Sequence, residues 1–218
     1  MTTRTSTDEL VQQLDGALPP LGDEDRRVAR TLVRLLGEGD PVEPERLAAA
    51  LGGSASEAAE AIARLPLVYR DRDERVVGFW GLSVAETPHR LRADGRDLYT
   101  WCAWDTLFLA IALGERVEVE STCPTTAEPI TLTVSPESVG DVHPQGAVMS
   151  FLLPGERGFS GDVIRGFCHY VHFFASKEAA RAWTAEHDGT FELSIEDGFE
   201  LGRRWAARAF AAGSTVDD

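Results

Sequence analysis

Apolar residues recur at Val28, Leu32, Leu35 and Leu36 with arginines between them, a period near 3.6 that predicts a helix from Asp23 to Leu36, stopped by Gly37. A second helix is expected after Pro44. A third should run from Ser54 or Ser56 to Leu65, with Glu57 and Glu60 in its early turns and Pro66 ending it. The segments Leu67-Val68-Tyr69-Arg70 and Arg75-Val76-Val77-Gly78-Phe79-Trp80 then flank the polar run Asp71 to Glu74, which reads as a hairpin. Three helices and a hairpin describe a winged-helix-like module over residues 1–80.

From Leu82 the pattern becomes helices among strands. Asp94-Gly95 reads as a turn, Asp97 as an N-cap, and Leu98 to Leu113 as a largely apolar, buried helix closed by Gly114. Val117, Val119 and Ser121 alternate with charged residues, and Ile130, Leu132 and Val134 alternate with Thr131, Thr133 and Ser135, which predicts two half-buried strands. Val148 to Leu153 and Phe167 to Phe174 read as further strands. Helices are expected at Ser176 to His187 and at about Ile195 to Ala212, before a disordered tail, Gly213 to Asp218. The fold class is therefore α+β: an N-terminal winged-helix-like helical module (1–80), then a core of mostly antiparallel strands packed with helices (81–218).

Composition narrows the function. At 43% hydrophobic and 26% charged residues the chain can bury a substantial core. The formal net charge of −15 opposes a nucleic-acid partner. The first 80 residues are themselves net negative, with 10 arginines against 15 Asp and Glu, and the third helix offers Arg64 as its one cation. A structural or lid-like role for the module is expected, with no nucleic-acid partner. No apolar run approaches the roughly 20 residues that cross a bilayer, and MTTRTSTDEL lacks a secretory apolar segment. No membrane partner and a cytoplasmic location are expected.

Three widely spaced cysteines, Cys102, Cys123 and Cys168, fit neither a disulfide framework nor paired zinc knuckles, and free buried cysteines commonly pack as small hydrophobes. The neighbours of two of them suggest more. In Trp101-Cys102-Ala103-Trp104-Asp105-Thr106 the spacing places Cys102 and Asp105 on one face of a helix's first turns. There the helix dipole should favour a thiolate at Cys102, while apolar neighbours should raise the Asp105 carboxyl. The alternative makes Cys102 a core residue and Asp105 a helix-start charge. In Phe167-Cys168-His169-Tyr170-Val171-His172-Phe173-Phe174, read as a strand, Cys168, Tyr170 and His172 share a face, so Cys168 and His172 are half a metal site, an activated thiol or simple packing. Two thiols on separate elements could hold a linear soft ion such as mercury(II), with the acid supplying a proton.

Around these residues the sequence resembles the bacterial organomercurial (alkylmercury) lyase family. The resemblance runs through Gly81-Leu82-Ser83, Pro88-His89-Arg90, Leu98 to Leu107, Val119 to Cys123, Leu132 to Pro136 and Cys168 to Ser176, and covers about residues 80–190 closely. It implies an enzyme that cleaves the carbon–mercury bond of R–Hg⁺ by protonolysis. Cys102 and Cys168 match the two catalytic cysteines, which would bind product Hg(II) together with the catalytic Asp105, and Cys123 matches a structural cysteine. The implied partners are the organomercurial substrate, low-molecular-weight thiols and mercuric reductase as downstream acceptor, with no cofactor required. Trp101, Trp104 and Phe108 are candidates for the pocket that takes the organic group. A non-enzymatic mercury or copper carrier, or a metal-responsive regulator on the same scaffold, is the alternative from another class.

Overall fold

The computed structural model describes residues 7–17, 20–153 and 162–210. Four helices come first: α1 (Thr7–Asp15), α2 (Asp23–Leu36), α3 (Pro44–Leu51) and α4 (Ala55–Arg64). Helix α2 buries Val28, Leu32, Leu35 and Leu36 together with Ala29 and Val33, so its apolar stripe is the face that meets the core. A capping box starts α4: the Glu57 amide donates to Ser54 Oγ at 3.3 Å, and the Ser54 amide donates to Glu57 Oε2 at 2.8 Å. Arg64, the cation of that helix, lies within 3.3 Å of Asp25 and 3.5 Å of Glu24. Helix α1, which the sequence reading did not include, buries Leu10 and Leu14.

Strands β1 (Val68–Arg70) and β2 (Val76–Phe79) form the expected hairpin, followed by β3 (Leu82–Ser83), β4 (His89–Ala93), β5 (Arg96–Thr100), helix α5 (Ala103–Leu113), β6 (Val117–Thr122), β7 (Pro129–Val134) and β8 (Val139–His143). These eight strands make one antiparallel sheet in the order β1-β2-β3-β5-β4-β6-β7-β8. The wing hairpin of residues 1–80 is therefore continuous with the sheet of the core. The chain goes on through β9 (Val148–Leu152), α6 (Val163–Gly166), a 3₁₀ turn (Cys168–Tyr170), β10 (Phe173–Phe174), α7 (Lys177–Thr184), β11 (Thr190–Leu193) and α8 (Ile195–Phe210). Strand β9 lies between β10 and β11 in a second, three-stranded antiparallel sheet. Residues 211–218, including the expected disordered tail, lie outside the described residues. Among the described residues no helix is long and apolar enough to cross a membrane.

Two elements differ from their sequence reading. The helix expected from Leu98 begins only at Ala103, because Arg96 to Thr100 pair with β4 in the register Leu91↔Leu98 and His89↔Thr100. Asp94 and Gly95 have φ of 46° and 74°, the two positive values of the tight hairpin turn that an Asp-Gly pair favours, and this turn commits residues 96–100 to a strand. Asp97 is accordingly no N-cap but an exposed strand residue, with Arg90 donating to it at 3.0 and 2.6 Å and Arg92 at 3.2 Å. The second difference is Phe167 to Phe174, where only Phe173–Phe174 is strand. The backbone bends at Phe167 (φ −136°, ψ −60°) into the 3₁₀ turn, so Cys168, Tyr170 and His172 do not share a strand face.

Helix α5 sits at the centre, buried along Ala103 to Ala110, and α8 packs across it. Gly198 permits that approach: a Cβ there would fall on the Met149 sulfur and 3.1 Å from Leu107 Cδ1. Alanine normally favours a helix over glycine by about 1 kcal/mol. At position 198 overpacking should win, and Gly198→Ala should lower stability by about 1–3 kcal/mol, read as a fall in the denaturant midpoint.

Candidate active site

The strand β5 ends at Thr100, and two residues later Cys102 occupies the N-cap of α5 in extended conformation (φ −148°, ψ 172°). The Thr100 hydroxyl donates to the Cys102 carbonyl at 2.8 Å, and the Cys102 amide donates to Asp105 Oδ2 at 2.9 Å. Cys102 and Asp105 are thus the cap and third helical residue of a capping box with cysteine where serine or threonine is usual. The sequence reading placed both inside the helix, and the two-residue hairpin turn upstream is what shifts the helix start between them.

Cys168 arrives from the other side of the molecule on the 3₁₀ turn after α6. Four hydrogen bonds fix that turn. The amide of Ala103, next to Cys102, donates to the Val171 carbonyl at 3.1 Å. Ser150, fully buried on β9, donates from its hydroxyl to the Tyr170 carbonyl at 2.8 Å and accepts from the His172 amide at 3.0 Å. His172 Nε2 donates to the His169 carbonyl at 2.8 Å. His172 is therefore bound to its own turn and is absent from the ligand group: the atoms offered by Cys102, Asp105 and Cys168 all lie within 4.8 Å of one another.

All three groups are buried, with Cys102 at 0%, Cys168 at 4% and Asp105 at 5% exposure. Burial pushes the Asp105 carboxyl up to about 7, against smaller opposing pulls from the Cys102 thiol and amide. The same burial drives Cys102 well above the usual thiol range, with Cys168 and Asp105 adding to it. This reverses the expectation of a dipole-favoured thiolate, because at 0% exposure desolvation outweighs a helix terminus. Cys168 is pulled down by its hydrogen bond with Cys102, but burial and Asp105 outweigh that pull and leave it raised. Cys123 is a different environment, in the turn between β6 and β7. Burial is opposed there by the Thr126 hydroxyl and the amides of Ala175, Thr126 and Thr125, which together lower its pKa.

A small pocket, partly open to solvent, reaches Asp105 and Cys168. Trp101, Trp104 and Phe108 line it, as do Leu67, Trp80, Gly81, Val163, Phe167 and Trp205, none of which the sequence assigns to the pocket. Only a Trp-Gly pair closing a strand could have pointed to the wing, and nothing local marks Val163 or Trp205. Gly81, at φ 91°, is held to glycine twice: by its backbone and because a Cβ would come within 2.5 Å of Asp105 Cγ.

Residues 82–207 match the alkylmercury lyase family, and residues 9–80 match the helix-turn-helix domain of alkylmercury lyase. The alkylmercury lyase of Staphylococcus epidermidis is 42% identical over 186 residues, covering 85% of this chain and 84% of its own. That of Bacillus cereus is 38% identical over 207 residues, covering 94% and 93%. The crystal structure of the mercury-bound form of MerB2 aligns with a TM-score of 0.74 at 26% identity, covering 94% of this chain and all of that one.

The raised Asp105 pKa has a sign that stability measurements can read. Its folded value near 7 lies above the ordinary 3.8, so folding favours the protonated acid, and that contribution is full below about pH 3.8 and lost as pH rises through 7. Asp105→Asn, which cannot ionise, should gain stability relative to wild type between pH 5 and pH 8, by at most about 4 kcal/mol. Parallel denaturation curves across that range check it.

Proposed function

The chain belongs to the alkylmercury lyase family, and on that premise we propose that it cleaves the carbon–mercury bond of R–Hg⁺ by protonolysis, with Cys102 and Cys168 capturing mercury and Asp105 relaying the proton. The observation that carries the reading is the buried convergence of two thiols and one carboxyl within 4.8 Å at the base of an aromatic cavity. Soft thiolates suit mercury, and the aromatic walls suit the organic group.

The reaction balances without a cofactor. Substrate enters as R–Hg–SR′, its mercury carried by a small thiol. An ionised Asp105 takes the proton of one cysteine as that sulfur bonds to mercury and displaces R′S⁻. Burial that raises the carboxyl to about 7 makes it a stronger base than an exposed aspartate. The second cysteine gives up its proton to R′S⁻ as it joins the mercury. Asp105 then protonates the carbon, the electron pair of the C–Hg bond becomes the C–H bond, and R–H departs. Mercury(II) remains on Cys102 and Cys168 beside Asp105. Two further small thiols return both cysteine protons and carry the mercury to its acceptor, which we assign as mercuric reductase. The chemistry needs reduced cysteines, and the three free ones suit a cytoplasmic enzyme.

Residues 1–80 serve this site structurally in our reading, since Leu67 and Trp80 stand in the cavity wall while Arg64 of α4 is paired with acids. We assign Cys123 a structural role in its turn.

Phenylmercury incubated with the protein in excess thiol should release benzene catalytically, measured in the headspace. Cys102→Ser and Cys168→Ser should abolish turnover. Asp105→Asn should retain mercury yet slow benzene release by about 10²–10⁴-fold. Cys123→Ser should stay active while losing thermal stability. Stoichiometric mercury binding by wild type with no benzene would replace the lyase by a soft-metal carrier or regulator.

A further inference from the structure

The imidazole of His172 takes no part in the reaction above, yet it belongs to the segment that carries Cys168. The carbonyls of residues 168–171 each find a different partner. The Val171 amide donates to the Cys168 carbonyl at 3.1 Å and closes the 3₁₀ turn, while the Ser150 hydroxyl and the Ala103 amide donate to the carbonyls of Tyr170 and Val171. One more 3₁₀ step would bring the His172 amide to the His169 carbonyl. That amide donates to Ser150 Oγ instead, at 3.0 Å. The His169 carbonyl is left over, and His172 Nε2 donates to it at 2.8 Å. A carbonyl can only accept, so this contact puts the proton of the neutral ring on Nε2 and keeps that nitrogen from acting as a base or a metal ligand.

The ring that makes this bond is itself held on several sides. His89 lies nearly parallel to it, with centroids 6.2 Å apart and planes at 29°. His89 is in turn 3% exposed, with its Nδ1 2.9 Å from Ser121 Oγ. Trp183 of α7 and Phe174 of β10 pack nearly perpendicular to the His172 ring, at 5.3 and 6.4 Å. Because His89 and Ser121 belong to β4 and β6, the imidazole sets the Cys168 turn against the large sheet, while Ser150 ties it to β9 and Ala103 ties it to α5. An oriented side chain thus fixes the carbonyl one residue beyond Cys168.

We propose that His172 is a positioning residue for Cys168, its Nε2–H holding the turn that sets this sulfur against Cys102 so that both thiols close on one mercury ion. The inference rests on the mercury chemistry of the lyase reading. Cys102 is fixed by its own helix start, whereas Cys168 rides on a turn of three residues whose placement depends on how its carbonyls are tied. Two sulfurs held together bind one ion at high effective concentration, and loosening the turn lowers it.

The test uses two amides that place their donor differently. Glutamine carries its Nε2 as far along the side chain as the imidazole Nε2, whereas the asparagine amide stops one bond short of the His169 carbonyl. Wild type, His172→Gln and His172→Asn are loaded with one equivalent of Hg(II) and dialysed against glutathione, a monothiol that competes with the paired protein sulfurs. The equilibrium constant for removal should rise about 3- to 10-fold in His172→Asn, the equivalent of one net hydrogen bond, and stay within about 2-fold of wild type in His172→Gln. Equal constants in the two variants, whether both match wild type or both are raised, overturn the inference. Nitrogen NMR of wild type supplies a readout that needs no variant: His172 should keep the Nε2–H tautomer with and without mercury, and an Nδ1–H tautomer or a ring nitrogen bound to mercury overturns the inference. Benzene release from phenylmercury, followed in parallel, should slow in His172→Asn and recover in His172→Gln. A wild type that holds mercury on both sulfurs but releases no benzene removes the lyase reading alone, because mercury retention still reports on the turn.

Discussion

The buried hydrogen bond from the Cys102 amide to the Asp105 carboxylate, 2.9 Å long, is the constraint around which this structure is arranged. It fixes a thiol and an acid to each other by the geometry of a helix start, so their relation does not depend on side chains reaching across open space. It also gives the carboxyl its one backbone donor in a setting that otherwise resists charge. The surroundings then have to accommodate a buried acid. Glycine at position 81 leaves room for the carboxyl, and burial keeps the acid partly protonated at neutral pH.

Cys168 is brought to this pair by a different device. Its turn is held by backbone atoms: the Val171 carbonyl receives the first amide of α5, and the buried Ser150 hydroxyl bridges Tyr170 and His172. Because the Ala103 amide that binds Val171 follows Cys102 directly, the two cysteine-bearing segments are tied together within one residue of the first sulfur. The elements involved come from β5, α5, β9 and the 3₁₀ turn, so the site is a property of the assembled core.

The wing hairpin contributes in the same way. Its strands continue the large sheet, and its closing turn places Trp80 and Gly81 in the cavity wall, Gly81 against Asp105. A helical module of net negative charge whose hairpin completes a cavity is physically coherent as part of the lyase scaffold, and the helix-turn-helix match over residues 9–80 is to that scaffold's own domain.

Much of this was legible in the amino-acid sequence. Helix α2, the helices after Pro44 and Ser54, the wing hairpin, β6 and β7 follow from local periodicity and punctuation, which depend on residues a few positions apart. The family was readable from the motifs that contain Cys102, Asp105 and Cys168. The start of α5 was not, because apolar residues from Leu98 onward suit a helix or a buried strand equally, and pairing with β4 decides between them. The turn at Cys168 was likewise hidden, since an aromatic run reads as a strand until Ser150 and Ala103 bind its carbonyls. The protonation of Cys102 reversed for the same reason: a helix dipole is a local property, whereas complete burial exists only once the chain is folded. Sequence alone determined which groups are present and in which segments. Tertiary structure decided their distances, their solvation and the fastening of the Cys168 turn, all of which depend on contacts between residues far apart in the chain.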